Sequence, residues 1–129
     1  MHQRAAHMER NTCFQLQPKE ERIYANTIMQ MVLEYLEQNF GKEITYKNLN
    51  DLFGFSKKYI AMLFKENYGL SPGKYVNQLR IEKVKLLMKE YPKYSIQKIA
   101  ELVGFQDSFY FSKVFKQKEG LPPSIIHVN

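Results

Sequence analysis

A pattern of seven residues that occurs twice in the chain restricts its possible folds more than any other feature of the sequence. Residues 49–55 (LNDLFGF) align with residues 99–105 (IAELVGF) at an offset of 50. Downstream of each segment a Phe-Lys pair and a Gly-Leu pair recur at an offset of 51. Each copy therefore has a periodic segment, a Gly-Phe step, a second periodic segment and a closing glycine. Such self-similarity indicates two copies of one supersecondary unit.

Apolar residues recur every three or four positions in nearly every segment after residue 18, which is the period of an amphipathic helix. This spacing predicts helices over residues 19–40, 46–53, 57–68, 72–90, 96–103 and 107–118. Short hydroxyl side chains suit helix N-caps, and the expected ones are Thr45, Ser56 and Ser95. The expected helix ends are Gly41, Gly54, Gly69, Gly104 and Gly120. No segment alternates over a useful strand length, so the predicted fold is all-α.

The apolar faces of these helices define the expected core. The residues expected to point inward are Ile28, Met31, Val32, Tyr35, Leu36, Leu49, Leu52, Ile60, Leu63, Phe64, Phe111, Val114 and Phe115. The phenylalanine after each turn glycine, Phe55 and Phe105, is expected to fill the wedge between two helices.

Each copy is typical of a helix-turn-helix, in which a short helix leads through a tight glycine turn into a second, steeply crossing helix. The predicted organisation is a leader (residues 1–18), a first subdomain (19–71), a linker helix (72–90) and a second subdomain (91–129). The linker would span roughly 28 Å, against about 34 Å between successive major-groove faces on one side of B-DNA. A helical solenoid is the alternative, but solenoids generally need three or more repeats.

Composition narrows the class of partner. The formal charge of +6 favours a polyanion such as nucleic acid. No apolar run approaches the roughly 18 residues needed to span a bilayer, and residues 1–19 lack the apolar stretch of a signal peptide. A cytoplasmic protein with no membrane partner is therefore expected. The single cysteine, Cys13, excludes an internal disulfide.

An enzyme is not expected. The three histidines, His2, His7 and His127, lie near the termini, and no metal-ligand spacing, phosphate-binding glycine loop or nucleophile motif is present. No cofactor is predicted. Asp107 lies near Ser108 and Ser112, but an aspartate at a helix start is better explained by the helix dipole than by catalysis.

The repeated residues resemble the AraC/XylS family of bacterial transcription regulators over about residues 28–123. The most specific segment is residues 99–107 (IAELVGFQD), continuing through residues 110–116 (YFSKVFK) to Gly120 and Pro123. The first copy matches through Gly54-Phe55-Ser56, Tyr59, Leu63-Phe64-Lys65 and Gly69, and the joining helix through Arg80-Ile81. The resemblance implies seven helices in two helix-turn-helix subdomains. It also implies promoter binding, with the second helix of each subdomain in the major groove.

Helix geometry then predicts which side chains face DNA, because residues three or four apart share a face. With the core residues inward, the outward stripe of the first recognition helix is Lys58, Ala61, Met62 and Lys65. That of the second is Ser108, Phe109, Ser112, Lys113 and Lys116. The family's base-contacting positions fall on these stripes, and Gln106 completes the predicted set.

The first recognition helix departs from the family. It has Ala61 and Met62 where a polar residue and an arginine are frequent, while Phe109 and Lys113 replace a common serine and arginine in the second. Alanine and methionine cannot make the bidentate bond to guanine, but they can pack against thymine methyls. A preference for A/T-rich sites is therefore predicted, with more weight on phosphate contacts and DNA shape.

Phosphate contacts are predicted for five cations, two of which also lie on the outward stripes: Lys57, Lys65, Lys74, Arg80 and Lys116. The alternative for any one of these lysines is that it is simply a solvated surface residue. Ser56 and the first amides of its helix are expected to hold a further phosphate. The predicted function is promoter binding by an activator, with RNA polymerase as a second partner. The alternative is a protein-interaction domain whose DNA binding has decayed.

Family members are usually fused to a sensory or receiver domain, which needs on the order of 100 residues. The leader is too short for one. Two readings stay open, a fragment of a longer regulator and a free-standing activator. We expect a monomer for this length of chain, and a dimer if a sensory domain supplies the contact.

Overall fold

The computed structural model describes residues 17–127, and these residues form seven helices and no strand. The helices are α1 (Pro18–Asn39), α2 (Tyr46–Phe53), α3 (Lys57–Tyr68), α4 (Pro72–Glu90), α5 (Ile96–Leu102), α6 (Ser108–Glu119) and α7 (Pro123–Ile126). The all-α prediction is confirmed. The four-residue α7 is too short to show a periodic pattern and was expected only from the family resemblance. The predicted leader lies mostly outside the described residues.

Side-chain caps begin four of the helices, three through a hydroxyl group and one, α6, through the carboxylate of Asp107. The hydroxyls of Thr45, Ser56 and Ser95 accept from the backbone amides of Asn48, Tyr59 and Lys98, as the sequence predicts. At Thr45 the Asn48 side chain accepts in return from the cap amide, which completes a capping box. The predicted ends at Gly54, Gly69 and Gly120 are confirmed as left-handed C-caps. Helix α5 ends at Leu102, one residue before the predicted end.

The chain folds as two compact units. The first comprises residues 17–39 and 44–73, and in it α1 and α2 both pack on α3. Its core side chains are Ile28, Met29, Val32, Leu36, Leu49, Phe55, Ile60, Leu63 and Phe64. Phe55 is 2% exposed, and its ring lies 5.3 Å from that of Tyr59, so the residue after the turn glycine packs in the interior as expected.

Two core predictions in the first unit are wrong. Met31 is 44% exposed and Leu52 is 48% exposed. The buried stripe of α1 runs through Ile28, Met29 and Val32, and Met31 lies roughly 115° from its centre at 100° per residue. Leu52 lies about 60° from the buried Leu49 on a short helix, and this offset leaves it on the solvent side.

The second unit comprises residues 40–43 and 74–127. Its core combines α4 with α5 and α6 through Ile81, Val84, Leu87, Met88, Ile99, Ala100, Val103, Phe105, Phe111, Val114 and Phe115. The helix predicted to be a linker therefore contributes its apolar face to this core, and its action as a spacer stays a prediction. No helix among residues 17–127 combines the length and the hydropathy that crossing a membrane requires.

Candidate nucleic-acid interface

The second helix of the first unit, α3, has one apolar and one exposed face. Ile60, Leu63 and Phe64 are at most 3% exposed, which confirms their predicted inward orientation. The predicted stripe on the other face is open, with Lys58, Met62 and Lys65 exposed and Ala61 half-buried. Met62 is 43% exposed, a large fraction for an unbranched apolar side chain. The sequence therefore places a mixed cationic and apolar surface along this helix.

The start of α3 is fixed by local contacts. The Ser56 hydroxyl accepts from the Tyr59 amide at 3.1 Å, so its oxygen is part of the cap. The Lys57 ammonium lies 5.2 Å from the centre of the Tyr46 ring, in a cation–π arrangement. Burial raises the pKa of Tyr46. The contact with this ring gives the lysine a preferred position at the start of α3.

In the second unit, α6 repeats the same division. Phe111, Val114 and Phe115 are buried as predicted. The predicted DNA-facing residues are all exposed: Gln106, Ser108, Phe109, Ser112, Lys113 and Lys116. Phe109 is 86% exposed, and an aromatic ring held this far out of the core has no structural role within its own unit.

Asp107 is the N-cap of α6. Its Oδ1 atom accepts from the amides of Phe109 at 2.9 Å and Tyr110 at 3.4 Å. This geometry supports the helix-start interpretation of the aspartate. The cap fixes the first turn, on which Ser108 and Phe109 are presented.

The ion pairs of the described residues divide the lysines into two groups. Among residues 17–127, Lys58, Lys65, Lys113 and Lys116 form no ion pair within 4.0 Å. In contrast, Lys118 lies 2.9 Å from Glu82, and Lys85 lies 3.3 Å from Glu119. The hydrogen bond from Lys118 lowers the pKa of Glu82, and the one to Glu119 raises the pKa of Lys85. Glu82 and Glu119 therefore neutralise lysines that lie outside the stripe.

Arg80, predicted to contact phosphate, points into the second unit. Its Nε donates to the Phe40 carbonyl at 2.7 Å and its Nη2 donates to the Lys42 carbonyl at 3.0 Å. The guanidinium also lies 5.4 Å from the centre of the Phe105 ring, and desolvation lowers its pKa. Lys74, the other predicted phosphate contact on α4, is exposed.

One group of polar residues beside α6 escaped the sequence reasoning. The Asn77 amide donates to the Tyr110 hydroxyl at 2.8 Å, which joins α4 to α6. Tyr110 belongs to the segment that carries the family resemblance, and this was the one feature of the sequence that could have drawn attention to it. Asn77 lies on a helix predicted only as a spacer, so nothing in its local sequence marks it.

One of the three histidines, His127, lies in the described part of the chain. His127 is 7% exposed, and its Nε2 lies 2.8 Å from the Tyr94 carbonyl oxygen, so it anchors the C-terminal segment. No group of three or more His, Cys, Asp or Glu side chains suited to a metal ion occurs within residues 17–127. His2, His7 and Cys13 lie outside the described residues.

Comparison with known proteins places this architecture in a family. The model of a family described as a helix-turn-helix domain matches residues 49–126. The raffinose operon transcriptional regulatory protein RafR of Pediococcus pentosaceus is 36% identical over 94 residues, covering 73% of this chain and 34% of that protein. The HTH-type transcriptional activator RhaS of an Enterobacter species is 30% identical over 95 residues, covering 74% and 34%. The chain thus spans about a third of the length of these relatives.

The solved structures agree. The crystal structure of a probable AraC family transcriptional regulator from Rhodopseudomonas palustris superposes with a TM-score of 0.68 at 26% identity, covering 77% of this chain and 93% of that one. The predicted resemblance is confirmed by the family match, the relatives and this structure together. The chain belongs to the AraC/XylS family of helix-turn-helix transcription regulators.

Proposed function

We propose that this domain binds double-stranded promoter DNA with sequence specificity, and that α3 and α6 enter adjacent major grooves of one duplex. The observation that carries the proposal is the division of each helix. Three apolar side chains face the core, and the opposite face is exposed with two lysines that form no ion pair with any carboxylate of residues 17–127. A cationic helix face of this kind matches the width and charge of the major groove.

The two helices offer different chemistry for reading bases. On α3 the exposed Met62 and the half-buried Ala61 favour contact with thymine methyl groups, so A/T pairs are the expected preference of the first unit. On α6 the Ser112 hydroxyl and the Lys113 ammonium are exposed donors, suited to acceptors such as guanine O6 and N7. Phe109 supplies an apolar contact beside them. Gln106, Ser108 and Lys58 complete the proposed base-facing set.

Phosphate contacts are assigned to Ser56 with the first amides of α3 and to Lys57, Lys65, Lys74 and Lys116. These groups lie at a helix start or on an exposed surface. Arg80 is left out of the set, because two of its nitrogens already donate to backbone carbonyls.

We propose further that the protein acts as an activator in the cytoplasm, where promoter DNA is found, and that RNA polymerase is its second partner. The name of RhaS, an HTH-type transcriptional activator, supports the sign of regulation. We expect the chain to be monomeric on DNA, with one duplex bound through both units. No catalytic activity is proposed.

Selection of bound duplexes from a random library, followed by a salt titration, tests this function. We expect two half-sites with centres about 10 base pairs apart, and A/T pairs beneath the first unit. The logarithm of the binding constant should fall linearly with the logarithm of salt, and Lys116→Gln should reduce that slope by about 0.9. Lys83→Gln, which removes the same charge elsewhere, should leave it unchanged.

Absence of any selected sequence, or binding to protein partners with no dependence on salt, would overturn the proposal. That second result would favour the decayed protein-interaction domain instead. G/C-rich half-sites beneath the first unit would contradict only the assignment of Ala61 and Met62.

A further inference from the structure

A cleft in the second unit lies between α4 and α6, and its volume is about 390 Å³. This size falls within the range of small-ligand sites. One wall comes from α4 and the other from α6, and the lining residues are Lys74, Asn77, Gln78, Tyr110, Lys113, Val114, Gln117 and Lys118. The lining includes three lysines, three amides and a phenol, and no carboxylate.

The lining of this cleft is rich in hydrogen-bond donors. The Tyr110 hydroxyl accepts from Asn77 at 2.8 Å, and this bond leaves its own proton to donate. Lys113 forms no ion pair among residues 17–127, whereas Lys118 is held by Glu82 at 2.9 Å. Gln78 and Gln117 are exposed amides on facing helices. A group rich in acceptor oxygens and negatively charged is the chemical complement of such a lining.

The cleft adjoins the DNA-facing stripe of α6. At 100° per residue, Tyr110 and Gln117 lie roughly 110° to 130° around the helix from the centre of that stripe, and Lys113 lies between these two residues and the stripe centre. A helix with its side chains is about as wide as the major groove, so its flanks come close to the phosphodiester backbones on either side. The cleft is therefore on a flank that a backbone phosphate can reach when α6 lies in the groove.

We propose that the cleft between α4 and α6 is a phosphate-binding site, in which the Tyr110 hydroxyl and the facing amides hold the phosphate oxygens. The phosphate has two possible sources, the DNA backbone flanking the second half-site and a free phosphorylated small molecule. The first source rests on the proposed function, and the second does not. The experiment below separates them.

The DNA arm uses duplexes in which one phosphate at a time is replaced by a neutral methylphosphonate. For the wild-type chain, one position beside the second half-site should reduce affinity about tenfold, as expected for loss of a hydrogen bond to a charged group. Tyr110→Phe should weaken binding to the unmodified duplex by a similar factor. The same methylphosphonate should then reduce the affinity of Tyr110→Phe only slightly further. The tyrosine hydroxyl and this phosphate form a single interaction, so removing either partner already removes it.

Two further variants guard this result. Gln117→Leu removes a donor from the α6 wall of the cleft and leaves Tyr110 in place. It should give the same loss of sensitivity, so a folding defect of Tyr110→Phe cannot decide the outcome. Lys83→Gln removes an exposed lysine on the opposite side of α4 and should retain the wild-type response to every methylphosphonate. Circular dichroism checks that all variants are folded.

The small-molecule arm titrates inorganic pyrophosphate into the protein alone and follows backbone amide shifts by NMR. Saturable shifts around Tyr110 and Gln117, lost in Tyr110→Phe and without coupling in the DNA arm, would assign the cleft to a free phosphate compound. Coupling in the DNA arm would assign it to the backbone. If the DNA arm shows no coupling and the NMR titration shows no saturable shifts, the proposed site is overturned, even where the duplex binds normally. Failure to bind any duplex would instead count against the proposed function.

Discussion

At the scale of single residues, the backbone at Gly104 allows little change. Its φ is +105°, and a Cβ at this position would lie 2.8 Å from the Gly41 carbonyl oxygen. We therefore expect Gly104→Ala to lower the free energy of unfolding by about 2–3 kcal/mol, through backbone strain and steric clash together. Urea unfolding followed by circular dichroism measures the loss.

Gly69→Ala is the matched control for this substitution. Gly69 also has a positive φ, +72°, but nothing lies within 4 Å of its would-be Cβ. Only the strain contribution of about 1 kcal/mol should be lost there. Equal losses for the two variants would show that the close approach of Gly41 and Gly104 does not constrain the second unit.

At the scale of elements, the short connection after α1 is held by α4. Arg80 donates to the carbonyls of Phe40 and Lys42, and residues 40–43 belong to the second unit. We expect Arg80→Met to lower the free energy of unfolding by about 1–3 kcal/mol, because two carbonyls lose their donors. The salt slope of DNA binding should stay at the wild-type value. A slope reduced by about 0.9 in this variant would show that Arg80 does contact a DNA phosphate.

The helices themselves were largely predictable, because capping residues in the local sequence mark where they begin and end. Thr45, Ser56 and Ser95 cap helices as expected, and α2, α3 and α4 have the predicted bounds. The orientation of Met31 and Leu52 was not predictable, since apolar residues at the edge of a stripe are buried only if a neighbouring element covers them.

The candidate site was predictable on the same terms. The outward stripes follow from the helical period once the core face is known, and the exposed lysines of α3 and α6 lie on them. Contacts between distant parts of the chain carry no such local signal. The bonds of Arg80 to residues 40 and 42, and of Asn77 to Tyr110, join positions 33 to 40 apart in sequence.

At the scale of the whole molecule, two units are proposed to act on one duplex. Each unit has a core of its own and presents one helix with exposed lysines. Neither helix alone offers many base-specific donors, and α3 offers fewer than α6. Specific binding should therefore depend on the simultaneous engagement of both, since linked modules gain affinity from their high effective concentration.

A change in half-site spacing tests this claim most directly. The affinity of the chain for a selected duplex should be compared, by fluorescence anisotropy at fixed salt, with that for the same duplex carrying five extra base pairs between the half-sites. Five base pairs rotate one half-site by roughly half a turn onto the other face of the helix. We expect the affinity to fall about a hundredfold, to that of a duplex with one half-site, and to recover partly with ten extra base pairs if the units can separate. An affinity that is unchanged by the five-base-pair insertion would contradict the simultaneous use of both units.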